Sequence, residues 1–193
     1  MRKLVVSQFL TLDGVMQGPG DDPGFDRSGW AFRFDRGAEG HRFKLDEVMS
    51  AGGLLLGRAT YDGFAAAWPS RTDEAGFAER MNTMPKYVIS ATLQHPVWNN
   101  TTVISGDIAD EVTRLKEQAG NDLLVNGSGM LVRTLAERGL VDEYRLMVYP
   151  TVVGAGRRLF DEGFEISALR LASVYPVGPD GVVIVTYHPV ATT

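Results

Sequence analysis

Leu54-Leu55-Leu56-Gly57-Arg58-Ala59-Thr60 is a short, wholly apolar run that breaks at a glycine and continues as a helix through Ala67. Asp122–Val125 repeats the pattern. It gives way at Asn126-Gly127-Ser128-Gly129 to a second helical stretch, Met130-Leu131 onward through Arg138, stopped by Gly139. Apolar runs of strand length that turn at once into helices are the sequence form of a buried parallel sheet. Such strands lie beneath helices on both faces and need no polar alternation.

The same grammar extends in both directions. Lys3–Leu10 reads as a buried strand running into Thr11-Leu12-Asp13-Gly14, and Gly18–Gly29 crowds Gly, Pro and Asp into a long loop. A loop of that length is either a functional lid or an excursion. From Ala38 to Ala51, Phe43, Leu45, Val48 and Met49 recur at three- and four-residue steps, which predicts one helix ended by Gly52-Gly53. The stretch from Trp68 to Pro85 reads as irregular and polar. Lys86–Ser90 and Thr101–Ile104 are strands, and Asp107 caps a helix up to Ala119, with Asp110 and Glu111 in its first turn. Glu143–Tyr149 is a strand ended by Pro150. Ala168–Pro176 and Val182–His188 form an antiparallel hairpin through Gly178-Pro179-Asp180-Gly181. The expected fold is therefore α/β in three layers over one domain, residues 1–193. It has a mostly parallel central sheet, antiparallel C-terminal strands and helices on both faces.

Composition excludes several classes of function. With 193 residues and 44% hydrophobic content the chain can bury one sizeable core. It contains no cysteine, so disulfides, thiolate catalysis and cysteine-based metal centres are out of reach. A net charge of -5 argues against nucleic acid as a partner. No apolar run approaches the roughly 20 residues of a membrane helix. The apolar part of the N-terminus is too short for a signal peptide. A soluble, cytoplasmic protein acting on a small molecule is expected. The three histidines, His41, His95 and His188, are too scattered to suggest a metal site.

In open α/β sheets ligands sit beyond the carboxyl ends of the strands, where helix N-termini present free amides. Three strand ends carry suitable residues. Gly57-Arg58-Ala59-Thr60 combines close backbone approach, a planar guanidinium and a hydroxyl. Asn126-Gly127-Ser128-Gly129-Met130-Leu131 would let a pyrophosphate reach backbone amides. Ser90-Ala91-Thr92 offers two hydroxyls. Each has a plain structural alternative: Arg58 as a surface ion pair, Ser90 and Thr92 as turn caps, Gly127-x-Gly129 as tight-turn chemistry. Their order does not fit a Rossmann fingerprint, because the third glycine is missing at the required offset. Trp30, Phe32 and Phe34 alternate after the long loop, either packing it onto the core or forming a stacking wall. Asp13, at the end of the first strand, is a carboxylate candidate for proton transfer, or simply a turn former before Gly14.

Taken together, several ordered segments resemble the dihydrofolate reductase superfamily, and within it the riboflavin-biosynthesis reductase (RibD C-terminal domain-like) family. They are Ser7–Gly14, Leu56–Tyr61, Lys86–Ser90, Val125–Gly129 and, most closely, Asp142–Leu146 followed by Pro150–Phe160. The resemblance runs from about residue 2 to residue 188. It implies NADPH as cofactor and hydride transfer to a small heterocyclic or carbonyl substrate, as in 5-amino-6-(5-phosphoribosylamino)uracil reductase. By the same resemblance Arg58 and Thr60 would meet the phosphates, and Ser90 and Thr92 the adenosine 2′-phosphate. Asn126 through Leu131 would line the pyrophosphate, and the turn at Gly14 would border the nicotinamide. Dihydrofolate reductases carry an acid on the first helix; here Asp46 is the candidate beside Glu39, His41 and Glu47, which no spacing argument separates. The chain shows no zinc deaminase signature, so the bifunctional riboflavin enzyme is not expected. A non-catalytic nucleotide-binding protein and a true dihydrofolate reductase stand as alternatives. Family resemblance also implies a homodimer, with Glu143–Tyr149 and Pro150–Phe160 as the contact region.

Overall fold

The computed structural model describes residues 1–162, 164 and 168–190. In chain order the elements are β1 (Leu4–Thr11), α1 (Gly37–Ser50), β2 (Gly53–Gly57), α2 (Arg58–Ala67), α3 (Phe77–Thr83), β3 (Lys86–Ile89), β4 (Thr101–Ile104), α4 (Ile108–Glu117), β5 (Leu123–Asn126), α5 (Gly129–Glu137), β6 (Glu143–Tyr149), β7 (Leu169–Val177) and β8 (Val182–Pro189). A short 3-10 turn, Trp30–Arg33, precedes α1.

The strands form one sheet in the order β4-β3-β2-β5-β1-β6-β8-β7. The first six of these run parallel, and β8 and β7 return antiparallel at one edge. Apolar strand residues project alternately to two cores, as a doubly covered sheet requires. On one face Leu4, Val6, Leu123 and Val125 pack with Val112 and Leu115 of α4 and Leu131, Val132 and Leu135 of α5. On the other, Val5, Leu54, Leu56 and Leu124 pack with Val48 of α1, Tyr61 of α2 and Met81 of α3. Fully burying one such aliphatic side chain contributes about 1.5–3 kcal/mol. These two layers of side chains hold the strand ends in register.

One expectation is corrected. The stretch 68–85 contains α3, whose Phe77, Ala78 and Met81 follow helical spacing; Asp73 secures its start by accepting the amides of Phe77 at 2.9 Å and Ala78 at 2.6 Å. The strand Glu143–Tyr149 is β6, paired with β1 on one side and β8 on the other. The edge strands are β4 and β7, and on β7 Leu171, Val174 and Tyr175 are exposed. No helix among the described residues is long and apolar enough to cross a membrane.

Candidate functional site

β2 and β5 are neighbours, with Leu54 opposite Leu124, yet the helices that follow them pack on opposite faces of the sheet. The crevice between their ends is thus a topological switch point, the place where open α/β sheets bind ligands. Neither α2 nor α5 has a side-chain cap on its first turn. The hydroxyls that could have capped them bind the two turns to each other instead. The Gly57 amide donates to Ser128 Oγ at 2.9 Å, and the Ser128 amide donates to Thr60 Oγ1 at 2.8 Å. Both oxygens act as acceptors in these bonds, so their own hydrogens remain to be donated.

The Asn126–Gly129 turn is fixed from a third strand. The Gln8 side chain on β1 donates to Gly127 O at 2.7 Å and accepts from Gly127 N at 3.1 Å. Gly127 has φ 63°, and a Cβ there would lie 3.0 Å from the Thr60 side chain, so glycine is required twice over. Ser128 follows with φ 59°, a left-handed backbone that costs a non-glycine residue energy. Met16, from the loop after β1, covers Gly129: a Cβ on that glycine would meet Met16 Sδ at 2.9 Å. Three strand ends therefore converge on one point.

The remaining expected residues divide. Arg58 reaches Asp62, one turn on, through Nε at 2.8 Å, which is the surface ion pair foreseen as its alternative. Its two Nη groups make no hydrogen bond or ion pair among the described residues. Ser90 Oγ accepts the amides of Thr92 at 3.2 Å and Leu93 at 3.1 Å, so it closes a turn, while Thr92 is exposed. Met130 is exposed on the first turn of α5 and Leu131 is in the core, so only its backbone could meet a ligand. Trp30 and Phe34 pack on Tyr149, and Phe32 faces solvent. The long loop is closed on itself, the Gly29 amide donating to the carbonyls of Gly18 and Gly20.

The two carboxylates proposed for proton transfer are placed against that role. Asp13 is a staple between the β1 loop and the segment after β6. It accepts from Thr11 Oγ1 at 2.6 Å, Val153 N at 3.2 Å and Gly154 N at 2.8 Å, and Arg158 lies 3.5 Å away. Desolvation, the largest single influence, works the other way, but the hydrogen bonds from Thr11, Gly154 and Val153 together hold its pKa down to about 2. A group held there stores no proton near neutrality. Beside it Gly14 turns at φ 77° with open space around it. Asp46 lies on the outer face of α1, exposed. The inward stripe of that helix is Gly40, Lys44, Glu47 and Val48. His41 is also exposed; desolvation and the Arg36 charge push its pKa down.

The acid of α1 that faces the sheet is Glu47. Its Oε2 accepts from Ser7 Oγ at 2.9 Å and Lys44 Nζ at 2.6 Å, and Lys44 also donates to Ser7 at 2.8 Å. Arg145, opposite Ser7 on β6, continues the row to Glu143 at 2.6 Å, and Lys3 and His188 each lie 3.4 Å from the second Glu143 oxygen. Desolvation would raise Glu143, but Arg145 and Lys3 hold it below the ordinary carboxylate range. This charged row was missed at the sequence level. Its signal was the three-residue step from Lys44 to Glu47 on a helix whose apolar stripe was incomplete.

A family model described as the RibD C-terminal domain matches residues 2–183. A curated relative from Bacillus subtilis (strain 168), YyaP, described as an uncharacterized protein, is 28% identical over 191 residues, covering 97% of this chain and 95% of its own. Among solved structures, a putative riboflavin biosynthesis protein from Shewanella sp. PV-4 superposes with a TM-score of 0.73 at 21% identity, covering 98% of this chain and 99% of that one. Dihydrofolate reductase from Enterococcus faecalis, solved with NADP(H), gives a TM-score of 0.60 at 14% identity, covering 97% of this chain and 96% of that one.

Proposed function

The chain belongs to the RibD C-terminal domain family, and from that premise we propose that it is an NADPH-dependent reductase of a small heterocyclic or carbonyl substrate. One observation carries the reading. At the switch point two uncapped helix starts stand side by side, with the hydroxyls of Thr60 and Ser128 locked as acceptors and so free to donate. That arrangement suits the oxygens of a pyrophosphate, which need donors and favour the positive ends of helices. Arg58 adds two unused Nη groups for a further phosphate. Gly14, with space beside it, suits the approach of a flat ring at the end of β1.

NADPH, when bound, supplies a hydride to an electrophilic carbon. The residues of the chain orient the cofactor through Thr60, Ser128 and the first amides of α2 and α5. With its pKa about 2, Asp13 shapes the loop beside the ring and gives no proton. We assign the same work to a cytoplasmic homodimer. Since β6 is interior, the subunit contact falls to the exposed apolar side chains of β7.

Titration with NADPH, followed by tryptophan fluorescence, tests the reading; no binding at high micromolar cofactor refutes it. Arg58→Ala is expected to weaken NADPH much more than NADH, and equal losses would move Arg58 off the extra phosphate. Binding without turnover across pterins, pyrimidines, quinones and aldehydes would make the protein a nucleotide-binding module instead.

A further inference from the structure

Gln8 is 4% exposed and lies on a face of β1 that is otherwise apolar, with Leu4, Val6 and Leu10. A polar side chain in such a row needs partners, and both of its hydrogen bonds go to Gly127. The main-chain pairing of β1 with β5 ends at Ser7 opposite Asn126, because Gly127 turns away with φ 63°. Beyond that rung the Gln8 carboxamide takes the place of a strand peptide. It accepts from Gly127 N at 3.1 Å and donates to Gly127 O at 2.7 Å. Gly127 O and Ser128 N belong to one planar unit, whose carbonyl and amide point opposite ways. Gln8 holds the carbonyl, and Thr60 Oγ1 holds the amide at 2.8 Å. That plane is clamped at both ends just before α5 begins at Gly129, and its rotation sets where the Ser128 side chain and the first amides of α5 point.

We propose that Gln8 is a positioning residue for the cofactor's pyrophosphate: through the Gly127–Ser128 peptide it aims the Ser128 hydroxyl and the first amides of α5, without touching the ligand. The proposal rests on the reductase reading above. β1 also leads into the turn at Gly14, so one strand holds both the phosphate grip and the turn assigned to the ring. The carboxamide is selected by its asymmetry, since Gly127 requires one acceptor and one donor side by side. A carboxylic acid supplies both only while protonated; ionised, it sets lone pairs against Gly127 O. Methionine fills similar space and supplies neither.

Calorimetric titration of the full chain with NADP+, at about pH 5 and about pH 8, tests the proposal. Each variant is compared with wild type at the same pH, so ionisation of the ligand's own phosphate cancels. Gln8→Met is expected to bind about tenfold more weakly at both values, the scale of a lost hydrogen bond and an orphaned carbonyl. Gln8→Glu is expected to match wild type at about pH 5, because burial pushes a carboxyl up and keeps its proton on, and to fall about tenfold behind at about pH 8. Thermal unfolding of the same samples separates affinity from stability. Wild-type affinity in Gln8→Met, even with a lowered Tm, would overturn the proposal, as would a Gln8→Glu deficit that is the same at both pH values. Should Gln8→Met not fold, the Gln8→Glu comparison decides alone. A wild type that does not bind NADP+ refutes the reductase reading and the proposal with it, whereas variants that match a binding wild type sink the proposal alone.

Discussion

Replacing Ser128 with alanine removes the hydroxyl that accepts the Gly57 amide at 2.9 Å and leaves a part-buried donor without its partner. Orphaning such a group costs about 1–3 kcal/mol, the lower half applying where water can reach it. Alanine inherits the left-handed backbone of Ser128, φ 59° and ψ 43°, so that strain is unchanged and the expected loss is ~1–2 kcal/mol. Glycine loses the same hydrogen bond but is relieved of a left-handed penalty of about 1 kcal/mol. Ser128→Gly should therefore lie within roughly 1 kcal/mol of wild type. In a chain of this size 1 kcal/mol corresponds to about 2–4 °C, so thermal unfolding should fall by roughly 2–8 °C for alanine and less for glycine. Both variants should lose NADPH affinity, because both lack the donor proposed for the pyrophosphate. An equal drop in Tm for the two variants would refute the strain argument. Wild-type stability in Ser128→Ala would show that the bond between the turns contributes nothing.

Other expectations follow from the charged groups. Asp13 has a folded pKa of about 2, below its ordinary 3.8, so its stabilisation is present above that ordinary value and is lost as pH falls from there toward about 2. Asp13→Asn should flatten that part of the Tm–pH curve, and an unchanged acid slope would remove the staple from the account. Lys44→Met leaves Glu47 buried without its closest cation and should cost about 3–5 kcal/mol in urea unfolding, whereas pairing it with Glu47→Leu should recover part of the loss. Strict additivity of the two changes would show that the pair is not coupled. Val174→Glu, on the 55% exposed side of β7, should convert a dimer to a monomer in light scattering with little change in Tm. A wild type that scatters as a monomer would dispose of the homodimer.

The parts of the fold that sequence made legible are those dictated by the backbone. Gly127 marks a turn because its left-handed backbone and the Thr60 side chain 3.0 Å from any Cβ suit no other residue, and Asp107 caps α4 through its own side chain, accepting from Ala109 and Asp110. Both effects act within a few residues, so a linear reading captures them. The failures have a common cause in tertiary contact. Helix α3 was hidden because seven residues carry too little periodicity to outweigh the polar residues around them, and its start is secured by Asp73, four residues before its first helical residue Phe77. Helix α1 was placed but rotated. Met49 looked inward by spacing and is 49% exposed, while Lys44 and Glu47, which apolar spacing does not mark, are buried. Only Ser7 and Arg145, far away in sequence but adjacent on β1 and β6, make their burial tolerable.

That difference also explains why Asp46 was chosen over Glu47. On an isolated helix the two are equivalent acids, about 100° apart around the axis. What separates them is the sheet beneath, which supplies Ser7 and Arg145 to one and solvent to the other. The glycine-led turns and the charged row thus lie on different levels of the same physics. The turn at Gly127 needs glycine for local geometry, and it remains recognisable wherever the sheet is parallel and the helices alternate sides. The row depends on a register: shifting β6 against β1 by one residue would turn Arg145 to the other face and leave Glu47 paired with Lys44 alone. The register is fixed by the apolar neighbours Tyr144 and Leu146, buried in the opposite core. The chemistry of one face is thus specified by the packing of the other.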